Sequence, residues 1–374
     1  MGDVAKNLKS SNITEGEADE LYLERIMGYA TGMITVNCVI LGHKLNIYQA
    51  LKALDKPSSA PDIAKAADNI NERYLTEWLR QQAAAKLISC NDDATLFWLD
   101  DIQKKCLTSE QGPDSSPCYM IAMLESIAAL SKSVDTLLPD AYKTGQGISY
   151  DQHGDEFACA LCRDFGVWLR HCLVDKISSV PGLKEKLEAG AMVADVGCGG
   201  GEAIFILAAA FPNSAFHGFD TSHKALNLAK TTAKENNLSE RCSFFDPVND
   251  KPMEAKTYDI VMTHDAIHDM NTPHKVIPEV AKSIKHNGCW IIGDIGGMES
   301  HKENVLNNPM APIMYGFSCH VCLPSAMIGP DAMGLGTLGW NQSLAEKMLK
   351  EAGFNKVEVL QWDHPINRYY MATF

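Results

Sequence analysis

Asp195-Val196-Gly197-Cys198-Gly199-Gly200-Gly201 follows the apolar run AMVADV and precedes EAIFILAAAF. A short apolar run, a glycine-rich turn and a segment of helical period make a strand–turn–helix unit, with the turn at the carboxyl end of the strand. Glycines in such a turn let a ligand approach the backbone closely. The next apolar run, SAFHGFD, ends in Asp220, 19 residues after Gly201. An acid at that strand end can accept both hydroxyls of a ribose, so turn and acid together predict an adenosine-type ligand.

Glycine spacing narrows the ligand. The dinucleotide fingerprint G-x-G-x-x-G, counted from Gly197, would need a third glycine where Glu202 stands. The sequence instead reads D-x-G-x-G-x-G. A pyrophosphate needs an open helix N-terminus, and an acid in the first turn repels it. S-adenosylmethionine has no phosphate and carries a sulfonium cation, so an acidic lining suits it.

Outward from this turn, strand and helix patterns alternate through HKALNLAKTTAKENN, RCSFFD, YDIVMTHD, PHKVIPEVAKSIK and CWIIGDI. The pattern predicts an α/β, Rossmann-like parallel sheet with helices on both faces. Asn287-Gly288 reads as a helix C-cap and Ser343 with Glu346 as a capping box. After a helix that stops at Gly353, KVEVLQWD and NRYYMATF read as an antiparallel pair that finishes a seven-stranded sheet.

This pattern resembles class I S-adenosylmethionine-dependent methyltransferases over residues 191–374. The resemblance implies that Asp195, Gly197, Gly199 and Gly201 form the methionine-side loop. It makes Asp220, with Thr221 beside it, the ribose site, Phe245 and Asp246 the adenine contacts, and Thr263 and His264 the wall beside the sulfonium. His264-Asp265-Ala266-Ile267-His268-Asp269-Met270 adds a narrower resemblance. Small-molecule O-methyltransferases with an N-terminal winged-helix dimerisation domain carry a similar His-Asp-Trp after the same strand. Met270 here replaces the Trp. The resemblance implies that His268 is the general base, with Asp269 able to orient it, and that the protein is a homodimer acting on a small-molecule acceptor. A histidine is suited to take up a proton near neutral pH.

The amino-terminal part agrees with that family. LNIYQALKAL, PDIAKAA and ERYLTEWLRQQAAAKL read as three helices, the last with Asn71 as N-cap and with Tyr74, Leu75, Trp78 and Leu79 at helical spacing. LISCNDDATLFWL reads as a hairpin, which completes a winged helix. The expected domains are 1–113 for the winged helix, 114–180 for a helical connector and 181–374 for the cofactor-binding domain. Residues 26–42 are uncharged but fall short of ~20 strongly apolar residues, which favours a buried helix over a membrane span. Gly28 and Gly32 mark one face of it for a partner helix.

Composition bounds the rest. The chain has 374 residues, 46% apolar and 21% charged, which is enough for two packed domains. A net charge of −14 disfavours phosphate backbones, and the helix 72–87 carries mixed charge, so nucleic acid is not an expected partner. A cofactor-sensing regulator that uses the winged helix on DNA, or a silent scaffold, is the alternative reading. Twelve cysteines are too sparse for a disulfide scaffold, and the amino terminus lacks the apolar core of a signal peptide. Lys6 weakens a myristoylation reading of Gly2. These features predict a cytoplasmic protein with reduced thiols. No metal is expected: His264 and His268 lack the Glu of a zinc helix, and the pairs Cys159/Cys162 and Cys319/Cys322 lie too far apart for a compact zinc ribbon. Residues 308–340, rich in Pro, Gly and Met, read as an irregular segment that walls or covers the substrate.

Overall fold

The computed structural model describes Thr14 to Phe374; the stretch before it, with Gly2 and Lys6, lies outside the described residues. The chain forms two compact units, one ending at Ala128 and the other running from Ala129 to Phe374. The division falls inside helix Ile121–Leu130.

In the first unit, helices Glu15–Lys44, Ile47–Leu54, Ala60–Ala66 and Glu72–Ala84 are joined by three short strands, β1 (Ser58–Ser59), β2 (Ser89–Cys90) and β3 (Leu96–Trp98), in the order β1-β3-β2. Asn71 caps its helix as expected, accepting the amides of Arg73 and Tyr74. Asn91 closes the wing by accepting the amides of Thr95 and Leu96 at 2.9 and 2.8 Å. Leu75, Trp78 and Leu79 are buried, but Tyr74 is 79% exposed. One residue along a helix is a turn of ~100°, which carries Tyr74 off the core face that Leu75 occupies.

The expectation of a buried helix over 26–42 is not met. Tyr22, Ile26, Tyr29, Met33 and Ile34 of helix Glu15–Lys44 are exposed, and the helix is long and apolar enough to cross a membrane by length and composition. Its covered part lies near its end. There Trp78 Nε1 donates to the Cys38 carbonyl at 2.8 Å. The close approach occurs at Gly42: a Cβ there would lie 2.1 Å from the Trp78 ring, while Gly28 and Gly32 have no atom within 4 Å of theirs.

The second unit is built on seven strands: β4 (Met192–Val196), β5 (Ala215–Phe219), β6 (Cys242–Phe245), β7 (Tyr258–His264), β8 (Ile284–Ile295), β9 (Lys356–Leu360) and β10 (Asn367–Thr373). Their order is β6-β5-β4-β7-β8-β10-β9, parallel except for β10, which is antiparallel to both neighbours. Alternate residues feed two cores. Val193, Ile260, Met262 and Ile291 pack with helix Glu202–Ala210 on one face; Ala194, Val261, Trp290 and Ile292 pack with helices Pro273–Ser283 and Gln342–Glu351 on the other. This two-sided burial explains why these strands read as continuous apolar runs.

Three local readings change. Helix Pro273–Ser283 ends before Asn287-Gly288, because β8 already pairs at Ile284; the register against β7 then shifts between Tyr258 and Ile260. Gly288 lies in that irregularity, where a Cβ would come 2.9 Å from the Asp259 carbonyl oxygen. The cap of helix Gln342–Glu351 is Asn341, which accepts the Leu344 amide at 2.9 Å, and Glu346 instead receives Gln342 Nε2. Residues 308–340 are largely helical in their first half: Ala311–Phe317, a π turn Ser318–Cys322 and Leu323–Ala326 follow one another.

Gly42→Ala should cost roughly 1–3 kcal/mol, because the added methyl drives into the Trp78 ring. Gly32→Ala should be neutral or slightly stabilising, since its Cβ meets nothing and Ala favours a helix. Chemical denaturation midpoints of the two variants check this contrast.

Candidate functional site

The sheet order reverses at β4, whose neighbours are β5 on one side and β7 on the other. Ligands of open α/β sheets bind at such a switch point, outside the carboxyl ends of the strands. The glycine turn emerges there. Gly197 and Cys198 both donate their amides to the Phe219 carbonyl, at 2.8 and 3.2 Å, and Gly199 donates to Asp220 Oδ2 at 2.8 Å. Gly197, Gly199 and Gly201 have φ of 78°, 51° and 83°, a left-handed backbone that glycine adopts without strain. A Cβ on Gly199 would meet nothing within 4 Å, so this turn has an open side.

Asp195 ends the same strand, buried, and its Oδ1 has no hydrogen-bond partner. Burial first, and the charge of Asp220 second, raise its pKa to about 7. A carboxylate left unpaired in the interior is costly, and an ammonium group of a ligand would satisfy it. Asp220 also accepts the Ser222 amide at 2.8 Å. Burial raises the Asp220 pKa, against the lowering effect of these amides. Thr221, next to it, is exposed.

Asp151, not foreseen from the sequence, accepts the Ser222 hydroxyl at 2.5 Å and the His223 amide at 3.2 Å, and so ties its own 3-10 turn to the end of β5. Glu202 is paired with Arg170 at 2.6 Å. The first-turn acid is therefore partly neutralised, which weakens the electrostatic argument against a phosphate; the glycine spacing still stands.

The remaining sequence-predicted residues divide. Phe245 is half-buried at the end of β6. Asp246 is buried and fully occupied by its own loop: it accepts the Val248 and Asn249 amides and Asn249 Nδ2 at 2.8, 3.1 and 2.7 Å. Burial alone would raise its pKa, but these donors hold it below the usual value. Thr263 is buried with an unpartnered hydroxyl. His264 reaches Tyr369 at 3.4 Å, and burial, aided by His364, lowers its pKa to about 4.

Beyond β7 the chain turns through Asp265, at φ 55°, into the 3-10 turn Ile267–Asp269. His268 is 2% exposed. Its Nδ1 lies 2.6 Å from Asp294 Oδ1 at the end of β8, and its Nε2 lies 3.0 Å from Asp269 Oδ1. Asp294 also accepts the amides of Ile267, His268 and Ile295, which fixes the turn to β8. Asp269 in turn accepts the Tyr150 hydroxyl. Burial alone would lower the His268 pKa, but Asp269 and Asp294 hold it well above normal. Both ring nitrogens face carboxylates, which favours the protonated ring. These carboxylates act against the neutral form that a histidine base requires. Asp265 is the carboxylate suited to accept a proton here, since its Oδ1 makes no hydrogen bond and burial raises its pKa to about 7.

Asp265 and Met270 were visible in the sequence as neighbours of His268. Tyr150 and Asp294 carried no local signal, since each comes from another element; Cys322 stood out only as a member of the Cys319/Cys322 pair.

Comparison with known proteins bears on the family and the fold. Residues 187–357 match the family model described as a methyltransferase domain, and residues 32–109 match an Rv2258c-like winged helix-turn-helix domain. A sarcosine/dimethylglycine N-methyltransferase of Aphanothece halophytica is 26% identical over 205 residues, which cover 53% of this chain and 61% of that protein. Among solved structures, human N-acetylserotonin methyltransferase in complex with S-adenosylmethionine superposes with a TM-score of 0.65 at 15% identity, over 97% of this chain and 99% of that one. An O-methyltransferase family protein from Burkholderia thailandensis gives 0.65 at 17% identity, over 96% and 98%. At these identities the structural likeness establishes the shared fold.

Asp195→Asn should stabilise the ligand-free protein more at pH 8 than at pH 5. A folded pKa raised to about 7 means that Asp195 favours the fold below the unfolded value and loses that contribution as pH rises through 7. The difference between the two pH values should be on the order of 2 kcal/mol. Thermal melts of both forms at the two pH values check it.

Proposed function

We propose that this chain, which joins a methyltransferase domain of the S-adenosylmethionine-dependent class to an N-terminal winged-helix domain, transfers a methyl group to a small-molecule acceptor. The observation that carries the reading is the open glycine turn at the switch point, flanked by the unpartnered Asp195 and by Asp220. S-adenosylmethionine supplies, when bound, a methyl carbon activated by a positive sulfur. Asp195 is placed to accept the donor's ammonium group, Gly197 and Gly199 leave room for its chain, and Asp220 is placed to accept its ribose hydroxyls. The acidic lining favours the sulfonium over neutral analogues.

The acceptor side lies at the end of β7. His268, held by Asp294, keeps Asp269 in place, and Tyr150 fixes the other oxygen of Asp269. Asp265 removes the acceptor's proton as the new bond forms. An oxygen acceptor fits this arrangement best, since a hydroxyl must lose its proton during transfer, whereas a thiolate or free amine is already nucleophilic. The O-methyltransferase fold relatives point the same way.

Methyl transfer from labelled S-adenosylmethionine to a metabolite extract, with the product identified by mass spectrometry, tests the reading. S-adenosylhomocysteine should bind in a 1:1 ratio and NAD should not bind. Gly199→Val should abolish that binding. Asp265→Asn should leave binding nearly intact while lowering turnover ~10²–10⁴-fold, with loss of the limb of the pH–rate profile that rises through about 7. NAD binding, or full turnover by Asp265→Asn, would sink the respective assignment.

The exposed apolar face of helix Glu15–Lys44 fits a second copy of the chain, because Gly28 and Gly32 stand open between its tyrosine, isoleucine and methionine side chains. Light scattering should show a dimer at micromolar concentration, and Met33→Glu with Ile34→Glu should yield a monomer. Sedimentation of the wild-type chain with lipid vesicles would replace this assignment with a membrane contact.

A further inference from the structure

Three side chains from two distant segments converge behind the acceptor side. His268 and Asp269 sit on the turn after β7, and Cys322 ends the π turn Ser318–Cys322, 53 residues further along. One ligand atom from each lies within 4.8 Å of the others. His268 and Cys322 are buried, and Asp269 retains 12% side-chain exposure. We propose that His268, Asp269 and Cys322 bind a divalent transition-metal ion, best matched by zinc.

Distances fit such an ion. Ligand atoms around a tetrahedral zinc stand about 3.3–3.7 Å apart, given bonds of ~2.0–2.3 Å. The His268 Nε2 to Asp269 Oδ1 separation is 3.0 Å and all three ligand atoms lie within 4.8 Å of one another, so small rotations of the side chains complete the site. The imidazole is turned as a metal ligand requires. Its Nδ1 faces Asp294 Oδ1 at 2.6 Å, the carboxylate–histidine arrangement that directs Nε2 to an ion. Asp269 is oriented in the same way, with one oxygen held by Tyr150 while the other, Oδ1, receives no well-directed hydrogen bond.

Charge points to the same occupant. Carboxylate oxygens of Asp265, Asp269 and Asp294 lie 4.0, 3.0 and 2.6 Å from the ring nitrogens of His268. A buried excess of negative charge is costly, and a dication relieves it. Binding would replace two protons: M²⁺ displaces one from Nε2 of the imidazolium and one from the Cys322 thiol, and both leave to solvent. Three protein ligands leave a fourth position for water or an acceptor atom, the pattern of a reactive centre. π turns also occur often at functional sites, and this one delivers Cys322.

The inference stands on this ligand set and not on methyl transfer, so its test avoids activity. The full-length protein, stripped with chelator, is titrated with Co²⁺ and with Zn²⁺. One equivalent should bind, with a thiolate-to-cobalt charge-transfer band and release of about two protons per ion. Cys322→Ser should remove the band, Asp269→Asn should weaken binding at least ~10-fold, and Cys319→Ser, at the exposed cysteine of the same pair, should change neither. Circular dichroism and S-adenosylhomocysteine binding establish that each variant is folded. No stoichiometric ion, a spectrum without a thiolate band, or a band that survives Cys322→Ser would overturn the proposal. Loss of S-adenosylhomocysteine binding with the metal retained would overturn the cofactor reading instead.

Discussion

Three consecutive amides hold the cofactor turn. Gly197 and Cys198 share the Phe219 carbonyl, and Gly199 is taken by the Asp220 carboxylate. This cross-strand grip lets the chain leave β4 in a left-handed backbone without unsatisfied donors. It also fixes Asp220, which follows the end of β5, relative to Asp195 near the end of β4: Asp195 pairs with Gly218 and Val196 with Phe219. Without this register, neither acid would face the turn. Gly218 preserves the geometry behind it, since a Cβ there would press on Phe244 at 2.5 Å and on Cys198 at 2.7 Å.

The carboxyl ends of the central strands gather negative charge at the cost of stability. Asp195, Asp265 and Asp294 are placed by β4, β7 and β8, and the first two carry pKa values raised to about 7 by burial. A structure selected for stability alone would replace such groups with apolar ones. Asp265 and Asp294 gather at the His268 ring and Asp195 lies at the glycine turn, so this end of the sheet is suited to cationic ligands. The sulfonium of the donor and a metal ion behind His268 are both cations, and each would relieve a different part of this charge.

The fold was legible because its signals are local. Glycine turns, two-faced apolar strands and the Asn71 cap each depend on residues close in sequence, and their physics is the same in the whole protein. The errors were also local in origin. Asn287-Gly288 has the chemistry of a C-cap, yet strand pairing of Ile284 with Tyr258 ends the helix earlier. Ser343 and Glu346 have capping-box spacing, yet Asn341 offers its oxygen two residues sooner. Helix Glu15–Lys44 reads as buried because its composition is apolar; composition records that a surface needs covering, not which molecule covers it.

The acceptor side was legible only in part, for a physical reason. A histidine in sequence carries no record of its partners, so His268 read as a free base at its ordinary pKa. Asp294 lies 26 residues away on β8 and Asp269 is adjacent; together they reverse the effect of burial on the imidazole. Tyr150 and Cys322 come from 118 residues before and 54 residues after His268; nothing in its segment marks Tyr150, and the Cys319/Cys322 spacing does not point to the turn after β7. Only the sheet brings them together: β7 delivers His268, β8 delivers the acid that orients it, and the helical stretch at 311–326 delivers the thiol. A site assembled from separate elements changes the chemistry of each member. Burial raises the basicity of Asp265, while the charges around His268 hold a proton on the ring more tightly.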